Sequence, residues 1–172
     1  VIFKPETREE LKEAVDLWCK GKEEVLARYG HISNWDTSLI TDMNNLFYEK
    51  FFFNDNINNW NVSSVTNMRG MFNEASSFNQ PLNLWDVSNV TNMGNMFTLT
   101  RYFNQSLISW DVSSVTNMSY MFSVALSFNQ PLDSWDVSNV RGMRNMFSFA
   151  KLFNQPLNTW NVSKVTNMSN ML

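Results

Sequence analysis

Tryptophan recurs every 25 residues along most of this 172-residue chain, and this interval constrains the fold more than any other feature. Each of these tryptophans begins the pattern Trp-(Asp/Asn)-(Val/Thr)-Ser-x-(Val/Ile). They are Trp35, Trp60, Trp85, Trp110, Trp135 and Trp160. A fixed interval of this length is typical of repeat proteins, whose units bury their apolar sides against one another. Residues 35–159 therefore form five complete units, and residues 160–172 form part of a sixth.

Other residue types keep the same interval. All 11 methionines fall in two columns, which begin at Met43 and at Leu46, and phenylalanine forms two further columns beginning at Phe47 and Phe53. Asparagine and serine columns accompany them. We expect stacking of the units to place like residues on like residues in one core, and the Asn and Ser side chains to bond backbone groups in the loops.

Within a unit, the apolar spacing suggests two local structures. Trp85 and Val87 alternate with polar residues, which is the spacing of a short strand with one buried face. Val90, Met93 and Met96, with Phe97 after them, recur at the spacing of one helix face. The sequence therefore predicts an α/β fold: a solenoid of short parallel strands and short helical turns.

The repeat resembles a known family. The stretch from Trp85 to Phe97, Trp-Asp-Val-Ser-Asn-Val-Thr-Asn-Met-Gly-Asn-Met-Phe, followed by Phe103-Asn-Gln, is similar to the 25-residue surface-protein repeat related to BspA-type leucine-rich repeats. The resemblance covers residues 32–172. It implies a leucine-rich-repeat-like solenoid and a role in adhesion or partner binding, and it carries over no catalytic residue.

Residues 1–31 lack the repeat pattern and have a high density of charge. Thr7 and Glu10 form a capping box, which predicts a helix start. Leu11, Ala14, Val15 and Trp18 then follow as an apolar stripe on one helix face. We expect residues 1–31 to form a cap of one or two amphipathic helices on the solenoid of residues 32–172.

Composition argues against several function classes. The net charge of −3 gives no basic surface for nucleic acid. No segment has the roughly 18 apolar residues of a membrane span. The single cysteine, Cys19, excludes an internal disulfide and a cysteine-based zinc site, and no glycine-rich phosphate loop is present. We therefore expect no enzyme activity, no catalytic residue and no cofactor, and for the only histidine, His31, we expect a structural role.

One row of carboxylates has two interpretations. Asp86, Asp111 and Asp136 occupy equivalent positions, and on a parallel sheet they would stand about 5 Å apart. Like charges at that spacing need solvent, hydroxyl groups or a cation. Either each carboxylate bonds the serine or threonine nearby, or the row binds calcium or a basic partner.

Partner specificity is expected where the units differ. One variable column changes along the chain from Glu49 and Glu74 to Leu99, Val124 and Phe149. Three apolar residues occupy neighbouring variable columns: Tyr102, Leu126 and Leu152. These six apolar residues are candidates for a contact site. The alternative is that they close over their own loops.

The sequence thus predicts a non-enzymatic protein-binding or adhesion module. The alternative is a structural subunit docked through its C-terminal unit, where end-to-end contact or further repeats would cover the last apolar layer. The first residues do not have the pattern of a signal peptide. A cell-surface or peripheral location is expected from the resemblance alone.

Overall fold

The computed structural model describes residues 1–172. Helical structure is confined to the first 34 residues: α1 spans Arg8–Lys20, α2 spans Lys22–Tyr29, and a short 3₁₀ helix spans Ile32–Asn34. The rest of the chain consists of turns and single β-bridges. The predicted α/β architecture of short parallel strands and helical turns is therefore wrong.

The repeat units lie on one another as coils, numbered 1 to 6 from Trp35. One residue of each coil pairs in parallel with its equivalent in the next, from Asp42 with Asn67 to Gly142 with Asn167. Around each pair, alternate backbone N–H groups donate to the following coil, as Met93 does to Asn117 and Phe97 to Met121, both at 2.9 Å. The coils are thus joined by sheet-like hydrogen bonds, although no strand forms.

The predicted helical turn is replaced by successive tight turns. The N–H of Met96 donates to the carbonyl of Met93, and that of Thr98 to Asn95, within the same coil. The N–H groups that alternate with them, such as that of Phe97, donate to the next coil. Asn95 and Leu99 have φ values of 58° and 60°. A right-handed helix requires negative φ throughout and i→i−4 bonds, so this backbone cannot be helical.

The burial expected for the repeated columns is confirmed. One cluster of 46 buried residues extends from Leu11 in α1 to Trp160 in coil 6, which makes the core continuous. The Phe47 column stacks with ring centroids 5.4–5.6 Å apart. Trp85, Trp110 and Trp135 stack at 6.4 Å.

Polar atoms in the core are bonded between coils. In coils 2 to 6 each indole N–H donates to a carbonyl 28 residues earlier, as Trp110 does to Leu82 at 2.9 Å. In the Asn54 column each side-chain oxygen accepts the backbone N–H of the next member, as Asn104 does from Asn129 at 3.0 Å. The indole bonds satisfy buried carbonyls, and the asparagine bonds pair exposed N–H groups of the loops, in a chain whose turns would otherwise leave both without a protein partner.

Residues 1–34 cover the first coil. Thr7 caps α1 by accepting the N–H of Glu10. Leu11, Ala14, Val15 and Trp18 are buried, and Trp18 meets Trp35 edge-on at 6.1 Å. The Arg8 guanidinium donates to the carbonyl of Asn44. In later coils, the equivalent carbonyl accepts a backbone N–H from the preceding coil, as Arg69 does from Asn45.

Candidate interaction surface

The variable residues gather in one loop of each coil, between the two phenylalanine columns. We call this surface the ridge; it comprises residues 48–52, 73–77, 98–102, 123–127 and 148–152. The loops are held in register by backbone bonds, such as Leu99 N–H to Ser123 and Val124 N–H to Ser148 at 2.9 and 2.8 Å. Equivalent ridge residues are therefore neighbours along the stack.

The six residues predicted for partner contact all lie on the ridge. Three project into solvent: Phe149 is 73% exposed, Tyr102 62% and Leu152 59%. Leu99, Val124 and Leu126 are half-buried, so they form its lower part.

The variable column of Leu99, Val124 and Phe149 has an unusual backbone. All three residues, like Glu49 and Glu74 in the same column, have φ between 56° and 63°. Left-handed backbone is unfavourable for bulky side chains such as Val and Phe. The turn geometry therefore does not select these apolar side chains.

Sequence reasoning missed two ridge residues. Phe52 is 91% exposed and Phe51 46% exposed. The run Phe51-Phe52-Phe53 could have revealed them, because only the buried Phe53 belongs to a repeated phenylalanine column. With them, exposed apolar side chains occur on the ridge in coils 1, 3 and 5.

Large and small residues alternate along the crest of the ridge. Phe52, Tyr102 and Leu152 occupy coils 1, 3 and 5, whereas Ser77 and Ser127 occupy the same position in coils 2 and 4. Both serines are half-buried. Ser127 donates its hydroxyl to the carbonyl of Arg101 at 2.7 Å, which holds it against the neighbouring coil.

Charge also varies along the ridge. Coils 1 and 2 carry Glu49 and Glu74, whereas coils 3 and 5 carry Arg101 and Lys151. Neither these carboxylates nor these cations form a salt bridge within the chain. Coil 1 also carries Lys50, but its charge is paired with Asp16 of α1 at 3.0 Å. The two ends of the ridge therefore present opposite charge to solvent.

The aspartate row makes local hydrogen bonds. Asp86, Asp111 and Asp136 each accept the backbone N–H of the serine two residues later at 3.0 Å. The serine hydroxyls, and then these N–H groups, hold the pKa values of Asp86 and Asp136 below the ordinary 3.8. The structure contains no group of three or more His, Cys, Asp or Glu side chains placed to hold a metal ion. The row is therefore built as a series of Asx turns.

An open groove of about 420 Å³ lies where α1 and α2 meet coil 1. Phe51 and Phe52 line it opposite Trp18, whose indole N–H donates to Asp55 at 2.9 Å. Lys22 pairs with Asp55 at 3.1 Å. The charges lining this groove are therefore partly used in joining the helices to the first coil.

No side chain near the groove is arranged as a nucleophile. Cys19 lies in the groove, and burial raises the pKa of its thiol to about 11, although part of the residue is exposed. A thiol with this pKa is protonated at neutral pH and reacts poorly. The Nδ1 atom of His31 accepts the N–H of Ser33, and its ring meets Trp18 edge-on.

With this geometry in view, the chain matches the family described as Mycoplasma protein of unknown function, DUF285. The match covers residues 22–109 and again 84–172. The chain belongs to this family, whose sequence pattern occurs here in tandem. No curated protein and no solved structure matches the chain significantly. None of its helices has the length and apolar character needed to cross a membrane.

Proposed function

We propose that this protein is a non-enzymatic binding module that contacts other polypeptide chains through the ridge. The observation that carries the proposal is the exposure of large apolar side chains where the repeat varies. Phe52, Tyr102, Phe149 and Leu152 are each more than half exposed on one surface. Single exposed apolar residues are ordinary, but several large ones gathered on the variable surface of a repeat protein are typical of an interaction site.

The coils do not need large apolar side chains at the crest in order to pack on one another. The same crest position is occupied by serine in coils 2 and 4, and those coils bury the same core columns. Resemblance of the repeat to BspA-type surface-protein repeats also supports adhesion as the use of this surface. Aromatic side chains suit such contacts because they bury a large area with few rotatable bonds.

The test is to pan the immobilised chain against a displayed random-peptide library. A triple variant, Phe52→Ser, Tyr102→Ser and Leu152→Ser, removes the crest with the residue that the repeat itself uses there. We expect the selected peptides to lose binding at least about tenfold, since each lost apolar contact contributes about 1.5 kcal/mol or more.

The matched control is a second triple variant, Leu39→Ser, Leu84→Ser and Ile108→Ser. These residues are 48%, 64% and 51% exposed but lie off the ridge. Peptide binding should be unchanged in this variant. Equal loss in both triple variants would show non-specific apolar adsorption and would contradict the proposal.

A further inference from the structure

We propose that the polypeptide bound by the ridge is a second copy of this chain, and that the two copies pair antiparallel about a two-fold axis. The inference rests on the proposed function, because it identifies a partner for the same surface. It follows from the order of side-chain size and charge along the ridge.

The crest is complementary to itself in shape. Phe52 is 91% exposed, so it does not lie over the adjacent Ser77. Ser77 in turn is half-buried, and its N–H donates to the carbonyl of Phe51 at 3.2 Å. Large side chains thus flank recesses one coil away. A second ridge fits such a surface when its large side chains face the recesses, which happens whenever odd coils meet even coils.

Charge selects the direction of pairing. Two ridges aligned in parallel about a two-fold axis would place each coil against its own copy, with Arg101 facing Arg101 and Tyr102 facing Tyr102. Like charges in contact are unfavourable. Antiparallel ridges avoid these contacts, and when the axis passes between coils 3 and 4 they bring coil 2, with Glu74, towards coil 5 of the other copy, with Lys151. Both effects favour the antiparallel arrangement.

Antiparallel ridges meet the shape condition whenever the axis passes between neighbouring coils, and two such registers overlap over four coils. The apolar column decides between these two. When the axis passes between coils 3 and 4, Leu99 faces Val124 of the second copy at the centre. In that register Glu74 faces Phe149, and Lys151 of the same coil lies close enough in sequence to pair with it. When the axis passes between coils 2 and 3, Leu99 faces Glu74, and Glu49 faces Val124 of coil 4, whose ridge carries no cation. Burying a carboxylate against an apolar side chain without a partner is unfavourable, so the first register is the one proposed.

In this register, four contacts form around the axis. Tyr102 of each copy enters the recess at Ser127 of the other, and Leu152 enters the recess at Ser77. Glu74 faces Phe149 beside the second of these contacts, with Lys151 in the same loop as its charge partner. The centre is apolar and the charged pairs lie to either side, as in stable protein interfaces.

Disulfide trapping tests the register. In a Cys19→Ser background, chains carrying Tyr102→Cys are mixed with tagged chains carrying Ser127→Cys under mild oxidation. We expect the mixed disulfide to form faster than the homodimer of either chain. Faster trapping of Tyr102→Cys with Ser77→Cys would overturn the register, and fastest trapping of Tyr102→Cys with itself would overturn the antiparallel pairing.

Association strength is measured by sedimentation equilibrium over a concentration series. We expect a monomer–dimer equilibrium that is weakened about tenfold or more by Tyr102→Ser, since a buried aromatic contact is lost. The control Leu84→Ser should leave the dissociation constant unchanged. Serine already occupies the crest in coils 2 and 4, so the variant retains a residue that the repeat accommodates, and its melting temperature verifies folding.

Charge reversal tests the pairing of Glu74 with Lys151. Lys151→Glu should weaken the dimer, and adding Glu74→Lys in the same chain should restore it, because both pairs around the axis are then exchanged. Failure of the double variant to recover would contradict the proposed neighbours.

The outcomes separate this inference from the function on which it rests. A chain that stays monomeric at its highest soluble concentration, yet still selects ridge-dependent peptides, overturns the second copy as partner and leaves the binding function intact. Peptide binding that is indifferent to the crest variant overturns the binding function itself.

Discussion

The two faces of the first coil, one against coil 2 and one against the helices, satisfy their polar groups in different ways. Towards coil 2, repeated polar groups meet copies of their own unit, so the Asn54 column and the Trp60 column repeat the same hydrogen bonds from coil to coil. Towards the helices no copy exists, and individual side chains take over. Arg8 donates where a backbone N–H would otherwise be, and Asp55 accepts from Trp18 and Lys22 at a position where later coils carry glutamine. Repetition distributes stability evenly, whereas the junction with the helices depends on a few residues.

The first prediction concerns the contacts between coils. Trp110→Ala removes a side chain that stacks on both neighbouring tryptophans and leaves the carbonyl of Leu82 without its indole donor. We expect the free energy of unfolding, measured by chemical denaturation, to fall by about 3–5 kcal/mol.

Trp160→Ala is the matched control for that variant. Trp160 makes the same type of bond, to Leu132 at 2.8 Å, but it lies in a coil whose Val162 and Val165 are only half-buried. Its loss should therefore be clearly smaller. Equal losses would show that burial by coils on both sides does not matter.

The junction with the helices is tested by Arg8→Ala. This change removes both guanidinium bonds to the part-buried carbonyl of Asn44. An unsatisfied part-buried acceptor should lower the free energy of unfolding by about 1–2 kcal/mol. Arg69→Ala, on an exposed position of coil 2, should change it by less than about 0.5 kcal/mol. A loss at Arg69 as large as that at Arg8 would contradict the special role of the junction.

The asparagine column provides a smaller effect. Asn104→Ala removes the oxygen that accepts the N–H of Asn129 and the side chain of Gln130. We expect a loss of about 1 kcal/mol in thermal or chemical denaturation. Asn154→Ala, at the end of the column, removes no such bond to a following coil and should have less effect; the reverse order would refute the ladder as a source of stability.

The smallest effect is the pH dependence of the Asx turns. The folded pKa of Asp86 lies below 3.8, so its carboxylate stabilises the fold above that pH, and this contribution is lost as the pH falls through the folded pKa. Because the group is exposed, the effect should stay below about 1 kcal/mol.

Asp86→Asn separates the turn from the charge. Asn61 makes the same turn with Ser63 at 3.0 Å, so the variant should keep its stability at neutral pH and lose less of it in acid. The check is the melting temperature from neutral to acidic pH. An unchanged acid slope would mean that Asp86 does not contribute to it.

The periodicity predicted which residues are buried, but not the backbone that buries them. Val90, Met93, Met96 and Phe97 are all fully buried, as their spacing indicates. Helices and successive three-residue turns both return to the same side of the chain at about this interval, so spacing cannot distinguish them. The turns depend on left-handed residues, and the column of Asn45, Gly70 and Asn95 contains residue types that favour this conformation. Leu99 and Phe149 give no such signal.

The candidate site was only partly visible in the sequence for a related reason. Departures from the repeat pointed to Tyr102, Phe149 and Leu152, which are exposed. The same signal for Phe51 and Phe52 was hidden because Phe53, which follows directly, belongs to a core column. Exposure depends on how each loop turns, and the loop geometry follows from the left-handed backbone rather than from the apolar pattern.

The alternation on the ridge gives the molecule two different repeat lengths. The core is restored by a shift of one 25-residue unit, whereas the crest of large and small side chains is restored only by a shift of two. Deleting a single internal unit should therefore leave a well-folded protein whose downstream surface is out of phase with the part before it. Deleting two consecutive units preserves both. For the alternation of the crest, the module that can be gained or lost without a change of phase is a pair of coils.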